Sequence, residues 1–358
     1  MQITHIKLKD FRSYPQLAWS PAPGINLLVG KNGAGKTNIL ESVYLCCLGR
    51  SHRTARDGEM IRREAEMAYA GVEISRADGP RSVEVLLKPK ERKGIKVGGF
   101  PIGRLSDLMG HICCVFFTPD DLYLLKGGPG LRRRFMDSGL CQLRPAYYLA
   151  LHHYRVTLAQ RNALLRQRAF DRALLEAFDA TLAGYGAQVV GHRQGYLIAL
   201  AQKAEEKHAQ IAPGEILRLS YRTQVGGEDE AQRKERLLQL LQNGREEDIR
   251  RFQTSVGPHR DDIGFHINGE NARQYGSQGQ QRTAALALKL AEAEAMAMEI
   301  GESPLIMLDD VLSELDTQRQ QALLRLQTGQ MLITCASLPK DSAIPGKQWT
   351  VQGGLVTD

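Results

Sequence analysis

Cysteine is scarce in this sequence of 358 residues, which contains six cysteines and no CxxC pair. Four of them form the adjacent pairs Cys46–Cys47 and Cys113–Cys114, which lie in apolar runs. Adjacent cysteines cannot easily chelate one metal ion or bridge each other without strain. We therefore expect reduced thiols in the protein core, and neither a zinc site nor a disulfide framework.

Long apolar segments are also missing from the first twenty residues, where Lys7, Lys9, Asp10 and Arg12 stand among the apolar ones. This pattern indicates neither a secretory signal nor a membrane span, so we expect a cytoplasmic protein without a membrane partner. No internal repeat or low-complexity tract appears. The length suggests two or three domains or lobes, and a hydrophobic content of 42% is ordinary for a globular protein.

Basic residues exceed acidic ones, 47 against 40, which gives a formal net charge of +7. This excess favours a polyanionic partner such as DNA without proving one. Three basic clusters are candidates for contacts with a phosphate backbone, although each is equally compatible with a solvated surface. They comprise Arg50, His52, Arg53 and Arg56; Lys88, Lys90, Arg92, Lys93 and Lys96; and Arg132, Arg133 and Arg134.

A phosphate-binding loop is indicated between Ile25 and Leu40, where an apolar strand is followed by a glycine-rich turn and a helix start. The turn matches GxxxxGK[ST], in which backbone N–H groups surround a phosphate chain. We expect Lys36 to contact the outer phosphates and assist catalysis, and the Thr37 hydroxyl to ligate magnesium. The ligand is thus Mg·ATP or Mg·GTP, and its contacts come from Gly30, Lys31, Asn32, Gly33, Ala34, Gly35, Lys36, Thr37 and Asn38.

A second apolar strand, from Leu305 to Leu308, ends in Asp309 and Asp310. Ligands of parallel α/β sheets bind at this end of the strands. We expect Asp309 to hold the magnesium ion and Asp310 to orient or deprotonate the attacking water. The alternative is that both aspartates only cap the next turn.

Between these two motifs the pattern changes twice. Residues Met67 to Ile102 predict an antiparallel hairpin layer, whereas Pro119 to about Arg251 is helical in pattern. A β-hairpin with an Asn268-Gly269 turn follows. We therefore predict an α/β fold with a first ATPase part at 1–118, a helical lobe at 119–289 and a second ATPase part at 290–358.

Several motifs together resemble the heads of chromosome-maintenance and DNA-repair ATPases of the SMC type, and most closely the bacterial RecF family. The resemblance spans nearly the whole chain. It is carried by LKDFRSY (Leu8 to Tyr14), GKNGAGKTNILES (Gly30 to Ser42), GRSHRT (Gly49 to Thr54), PDDLYLLKGGPGLRRRFMD (Pro119 to Asp137), GPHRDD (Gly257 to Asp262), YGSQGQQRT (Tyr275 to Thr283) and LDDVLSELD (Leu308 to Asp316).

The resemblance implies an ABC-type P-loop ATPase head, with a mixed sheet, an antiparallel β layer and an inserted helical lobe. It implies that ATP joins two copies into a homodimer, because the signature loop of one subunit closes over the nucleotide of the other. That loop is Ser277, Gln278, Gly279 and Gln280, and Arg12 and Arg53 match positions near the nucleotide. It further implies binding to duplex DNA and single-strand/duplex junctions, and cooperation with RecR and RecO in loading RecA.

Two departures from the ABC pattern bear on hydrolysis. Asp310 stands where most ABC ATPases have glutamate, and no switch histidine follows MLITCAS. A weak ATPase that acts as a switch is therefore expected. Two alternatives remain. The first is the ATPase subunit of an ABC-type membrane transporter, but the missing histidine and the presence of Gln278 count against it. The second is a small-molecule P-loop kinase, which the signature loop disfavours.

Overall fold

The computed structural model describes residues 1–167, 171–325, 329–337 and 346–358. Within these ranges the chain forms three β-sheets and eight α-helices. The strands are β1 (Gln2–Phe11), β2 (Tyr14–Trp19), β3 (Ile25–Val29), β4 (Ala68–Arg76), β5 (Gly79–Leu87), β6 (Gly94–Val97), β7 (Phe100–Pro101), β8 (Cys114–Phe117), β9 (Leu217–Arg222), β10 (Asp262–Ile267), β11 (Glu270–Asn271), β12 (Leu305–Asp309), β13 (Met331–Cys335), β14 (Lys347–Gln352) and β15 (Leu355–Thr357). The helices are α1 (Lys36–Leu48), α2 (Pro129–Leu143), α3 (Pro145–Leu165), α4 (Arg172–Ile211), α5 (Glu230–Asn243), α6 (Arg245–Arg251), α7 (Gln278–Ile300) and α8 (Thr317–Leu324).

The first sheet has the strand order β15-β14-β3-β13-β12-β8 and is parallel except for the pairing of β15 with β14. Its inner strands β12 and β13 are buried along their whole length, as parallel strands covered on both faces must be. Because β3, β13 and β12 are parallel neighbours, their carboxyl ends lie side by side at one edge. Both nucleotide-site motifs follow strands that end at this edge.

The second sheet is antiparallel, with the order β2-β1-β4-β5-β6-β7, and confirms the predicted hairpin layer. Helix α1 packs against strands of both sheets, which explains why Ile39 to Leu48 are all buried. It begins and ends where the sequence predicts, at Lys36 and before Gly49. The six cysteines are free and buried, as expected for core thiols.

The helical lobe is built around α4, a helix of 40 residues that packs against α3, α5 and α7. One prediction for this lobe is wrong: Leu217–Arg222 forms strand β9, although the sequence pattern was assigned to helices. Leu217, Leu219 and Tyr221 alternate with polar residues, and β9 pairs along its length with β10. The predicted hairpin of β10 and β11 is confirmed, with Asn268 and Gly269 in the left-handed region at its turn.

Helix α7 connects the helical lobe to the parallel sheet, since it begins at Gln278 and leads into β12. It runs without interruption past residue 289, where the sequence analysis placed the end of the helical lobe. The division at 118 and 289 remains a prediction. The helix nevertheless connects the N-terminal turn at Ser277 through a short loop to the strand that carries Asp309.

Candidate nucleotide site

The loop between β3 and α1 depends on glycine at two places. Gly35 has a φ of +106°, and a Cβ there would lie 2.8 Å from the Tyr14 hydroxyl. A Cβ on Gly30 would lie 2.3 Å from the carbonyl oxygen of Val351. These two positions exclude larger residues, so the backbone can turn directly into α1. The first N–H groups of α1 consequently face the loop, as a phosphate site at a helix N-terminus requires.

Lys36 lies inside this loop with only 4% of its surface exposed. Its Nζ donates hydrogen bonds to the carbonyl oxygens of Gly30 at 2.6 Å and Lys31 at 3.1 Å. Both acceptors are neutral, so the positive charge has only partial compensation. An anionic phosphate chain would attract this ammonium more strongly than the two carbonyls do.

Asp309 ends β12 and is 9% exposed. Its Oδ1 accepts hydrogen bonds from the Thr37 hydroxyl at 2.8 Å and from the Thr334 hydroxyl at 2.8 Å. The structure thus brings the two predicted metal ligands together, although they are far apart in sequence. A hydroxyl and a carboxylate are hard oxygen ligands and suit Mg²⁺, which is usually held by one or two protein groups plus phosphate and water. Within the described ranges, no group of three or more His, Cys, Asp or Glu side chains is placed to hold a metal.

Asp310 follows with a φ of +54°, a left-handed conformation that aspartate tolerates better than most residues. Its N–H donates to the Thr334 hydroxyl at 3.0 Å, and its carbonyl oxygen accepts from the Ser313 hydroxyl at 2.8 Å. These bonds fix the backbone turn at the edge of the sheet. The half-buried Asp310 therefore follows Asp309 directly at the carboxyl end of β12.

Thr334 is a site residue that the sequence analysis missed. It is fully buried on β13, in register with Asp309 of the neighbouring strand β12. Its hydroxyl donates to the carboxylate of Asp309 and accepts from the N–H of Asp310. The available signal was a single hydroxyl residue near the end of the apolar strand MLITC.

Replacing Thr334 by valine is expected to slow ATP hydrolysis by about 10–100-fold, because a hydrogen bond that orients a metal ligand is lost. Replacing it by serine keeps the hydroxyl and should retain most of the rate. Steady-state phosphate release at varied Mg²⁺ concentrations tests both variants. Equal rates for the valine and serine variants would contradict the role given to the hydroxyl.

Arg12 and Arg53 both contact Glu41 on α1. Arg12 forms a bidentate pair with the fully buried carboxylate at 2.8 and 2.6 Å, and Arg53 lies 3.4 Å from it. Arg53 also donates to Asn38 Oδ1 at 3.0 Å, directly beside Thr37. Burial raises the pKa of Glu41, but bonds from Arg12 and Ser51 outweigh it and hold this pKa below its ordinary value. These contacts place Arg53 at the edge of the loop, while a direct nucleotide contact of either arginine remains a prediction.

The predicted signature loop begins α7. Ser277 and Gln280 form a capping box, in which each side chain accepts a hydrogen bond from the other residue's N–H. Gln280 Nε2 donates to Glu215, and Arg319 donates to the carbonyl oxygen of Gly279 at 3.1 Å. Ser277 and Gln278 are exposed. The chain therefore presents a preformed, open helix N-terminus whose contacts in the described residues are made away from the P-loop.

Two of the predicted basic clusters each contain a residue that packs against its neighbours in the structure and cannot contact DNA as a free cation. His52 is packed 4.4 Å from the Phe116 ring, and burial lowers its pKa to about 4, so it is neutral at physiological pH. Arg132 is 1% exposed and forms a bidentate pair with Asp262 at 2.6 and 2.9 Å. Its Nη1 donates to the carbonyl oxygens of Leu124, Leu125 and Gly127. Neither residue can face DNA as a free cation, which corrects the expectation for both.

Replacing Arg132 by alanine is expected to lower the free energy of unfolding by about 3–5 kcal/mol, because a carboxylate and three carbonyls lose their buried partner. Replacing the exposed neighbour Arg134 by alanine should change it by less than about 0.5 kcal/mol. Urea denaturation followed by circular dichroism measures both. A small effect of Arg132→Ala would show that water replaces the guanidinium.

Three features together define an ABC-type ATPase head of the SMC-like class. A parallel sheet joins a P-loop to paired aspartates, an antiparallel sheet lies beside it, and a helical lobe presents a capped helix N-terminus. Comparisons with known proteins agree. The family model "AAA domain" matches residues 5–108. The crystal structure of an SMC head bound to the C-winged helix domain of ScpA matches with a TM-score of 0.58 at 15% identity, over 100% of this chain and 96% of that one.

Closer relatives narrow the class to one family. The chain is 41% identical to the DNA replication and repair protein RecF of Lachnoclostridium phytofermentans, over 94% of this chain and 93% of the relative. It is 43% identical to that of Symbiobacterium thermophilum, over 94% and 92%. A structure of the recombination mediator protein RecF-ATP in the RecFOR pathway matches with a TM-score of 0.91 at 34% identity, over 99% of this chain and 96% of that one. The chain belongs to the RecF family of DNA replication and repair proteins.

Family membership gives no support to the alternative of a transporter subunit, since the relatives are named as repair proteins. Within the described residues, no helix has both the length and the apolar character needed to cross a membrane.

Proposed function

We propose that the chain is an ATP-driven DNA-binding switch of recombinational repair. ATP with Mg²⁺ binds the P-loop, joins two copies head to tail and creates a surface for duplex DNA and single-strand/duplex junctions. Slow hydrolysis then separates the copies and releases the DNA. A solved relative described as RecF-ATP in the RecFOR pathway supports ATP as the nucleotide and RecR and RecO as partners, with RecA loading implied by family resemblance.

The observation that carries this proposal is that each chain holds two incomplete halves of a nucleotide site. One half is the cluster of Lys36, Thr37 and Asp309, which offers a cation, a hydroxyl and a carboxylate at a helix N-terminus. The other is the exposed, capped N-terminus of α7 at Ser277. A head-to-tail pair with two-fold symmetry uses both halves twice and leaves neither open.

Several residues acquire roles in this arrangement. Residues 30–38 would surround the phosphates, Lys36 would neutralise the charge on the outer phosphates, and Thr37 and Asp309 would hold Mg²⁺. The ion would polarise the γ-phosphate, and Asp310 would accept a proton from the attacking water. Ser277 and Gly279 of the second copy would donate hydrogen bonds to the γ-phosphate, from the loop that also contains Gln278 and Gln280. Arg12 would support the P-loop through its pair with Glu41 of α1.

Light scattering and DNA binding test the proposal together. Mg·ATP should convert monomer to dimer, and retention of a fluorescent duplex should increase in parallel, with a strong decrease as salt rises. Mg·ADP serves as the control and should produce neither change. DNA retention that ignores both ATP and salt would contradict the switch.

A further inference from the structure

A second cationic pocket lies outside the nucleotide cluster, in the helical lobe. It has a volume of about 340 Å³ and is bounded by α2, α3, α4 and the loop before β10. Five arginines from four separate parts of the chain line it: Arg50, Arg133, Arg134, Arg155 and Arg193. None of them is assigned to the proposed ATP site, although Arg134 also lines the neighbouring cavity that contains Thr37 and Asp309.

The positive charge of this pocket exceeds the negative charge around it. Asp137 accepts bonds from Arg155 and Arg193, both at 2.8 Å, and Asp261 lies 3.7 Å from Arg193. These two carboxylates are the countercharges closest to Arg193. Arg133 donates to the carbonyl oxygen of Asp261 at 2.7 Å, a neutral acceptor, and the nearby carboxylates of Asp137, Asp261 and Asp262 offset only part of its charge.

The two remaining arginines of the pocket, Arg50 and Arg134, form no ion pair among the described residues. Arg50 donates to the Ser138 hydroxyl at 3.1 Å, and Arg134 is exposed. Burial lowers the pKa of Arg133, and the nearby charge of Arg193 lowers it further, as expected where cations crowd together. Burial also lowers the pKa of His259 to about 4, so this residue adds no charge at neutral pH.

Backbone dipoles add to this field. Helix α2 begins at Pro129 after Gly128, which provides no side-chain cap, and Gly130 of its first turn lines the pocket. The positive end of the helix therefore lies beside the arginines. Such a combination favours an anion with several oxygen atoms.

Hydrogen bonds and a glycine turn fix the loop at residues 257–259, which forms one wall of the pocket. Arg193 is 2% exposed and donates to the carbonyl oxygen of Pro258 at 2.7 Å, while the Tyr154 hydroxyl pairs with His259 Nδ1 at 2.6 Å. Gly257 turns the loop with a φ of +120°, and a Cβ there would lie 2.5 Å from the Tyr154 hydroxyl. Residues of the two sequence motifs PGLRRRFMD and GPHRDD thus line the same pocket.

We propose that this pocket is a second anion site that binds a phosphate group through the guanidinium groups of Arg50, Arg133 and Arg134. Guanidinium groups match the oxygens of phosphate in pairs, and several of them converging in a partly enclosed space bind it more strongly than scattered surface lysines. The phosphate can belong to a nucleic-acid backbone or to a free phosphorylated molecule. The nucleic-acid source rests on the proposed DNA-binding function, whereas the free-phosphate source does not.

Arginine modification locates the ligand directly. The full-length protein, with its P-loop filled by a slight excess of Mg·ADP, is treated with phenylglyoxal, and the modified arginines are identified by mass spectrometry. Inorganic phosphate is compared with chloride at equal ionic strength, and a duplex without terminal phosphates forms a second arm. We expect slower modification of Arg50 and Arg133, which line this pocket and not the cavity that contains Thr37 and Asp309, and no change at Arg172 and Arg236, two exposed arginines of the same lobe.

A double variant adds a binding measurement. Arg50→Ala combined with Arg134→Ala should weaken phosphate binding, followed by ³¹P NMR, by about ten-fold, because charge-assisted hydrogen bonds are lost. Arg172→Ala combined with Arg236→Ala removes the same charge and should leave phosphate binding unchanged. In the duplex arm, each lost phosphate contact should reduce the salt slope of binding by about 0.9.

Each outcome decides the proposal. Protection by phosphate alone supports the site with a free ligand as its source, and protection by the duplex supports it with nucleic acid. Protection by neither overturns it, as does an equal loss of phosphate binding in the two double variants. If the wild-type protein fails to bind DNA, the proposed function fails, but the phosphate arm still tests the pocket.

Discussion

Replacing Lys36 by methionine should abolish ATP binding at the P-loop and, with it, ATP-dependent dimerisation. Lys36 is the only buried cation inside the loop, and the carbonyls that now accept from it are neutral. Methionine has a similar length but no charge. The loss of charge-assisted hydrogen bonds, each worth about 1.5–3 kcal/mol, should weaken ATP binding by at least about 100-fold.

Lys234→Met is the matched control for this experiment. Lys234 is exposed on α5 of the helical lobe and has no role in the proposed nucleotide site, so its replacement removes the same charge and leaves the loop unchanged. Equilibrium binding of a fluorescent ATP analogue, followed by light scattering, should separate the two variants clearly. An ATP-dependent dimer of normal stability in Lys36→Met would contradict the assignment of the nucleotide site.

Replacing Asp310 by asparagine should have the second-largest effect: hydrolysis should fall by at least about 100-fold, since general-base assistance contributes about 10²–10⁴-fold. Asparagine tolerates the left-handed backbone that Asp310 adopts, so the turn should be preserved. ATP binding requires Lys36, Thr37 and Asp309 and should remain intact. The variant should therefore accumulate as an ATP-bound dimer that holds DNA.

Single-turnover phosphate release and the dissociation rate of the duplex test this expectation. Asp310→Glu is an informative companion, because it restores the carboxylate on a side chain one methylene longer. It should hydrolyse ATP far faster than the asparagine variant. Rapid hydrolysis by Asp310→Asn would mean that another group activates the water.

The nucleotide loop could be predicted in detail because its constraints are local. The apolar strand, the two sterically required glycines and the helix from Lys36 to Leu48 follow one another without a break. Asp309 was also identifiable, because an apolar strand followed by an aspartate has the same form in any parallel sheet. Both halves come together only because β3, β13 and β12 are neighbours, which the sequence alone does not show.

Features that depend on packing between distant parts of the chain were harder to predict from the sequence. Arg132 and Arg134 look alike in the sequence, yet the first is buried against Asp262 and the second is exposed. Apolar and polar residues alternate in β9 as in a typical strand, but its partner strand β10 is distant in sequence. Even the paired residues closest in sequence, Arg222 and Asp262, are 40 positions apart. Thr334 is similar: one hydroxyl becomes significant only when β13 places it beside Asp309.

The central claim is that the P-loop of one copy faces the start of α7 of another copy when ATP is bound. Cross-linking between differently tagged chains tests it most directly, with Asn32→Cys in one chain and Gln278→Cys in the other. Both positions are exposed, whereas the six native cysteines are buried. A short bis-maleimide should join the two chains with Mg·ATP, and it should fail to do so with Mg·ADP or when both chains carry Lys36→Met. Cross-links that are absent with Mg·ATP, or that form equally without nucleotide, would contradict an ATP-sealed head-to-tail dimer.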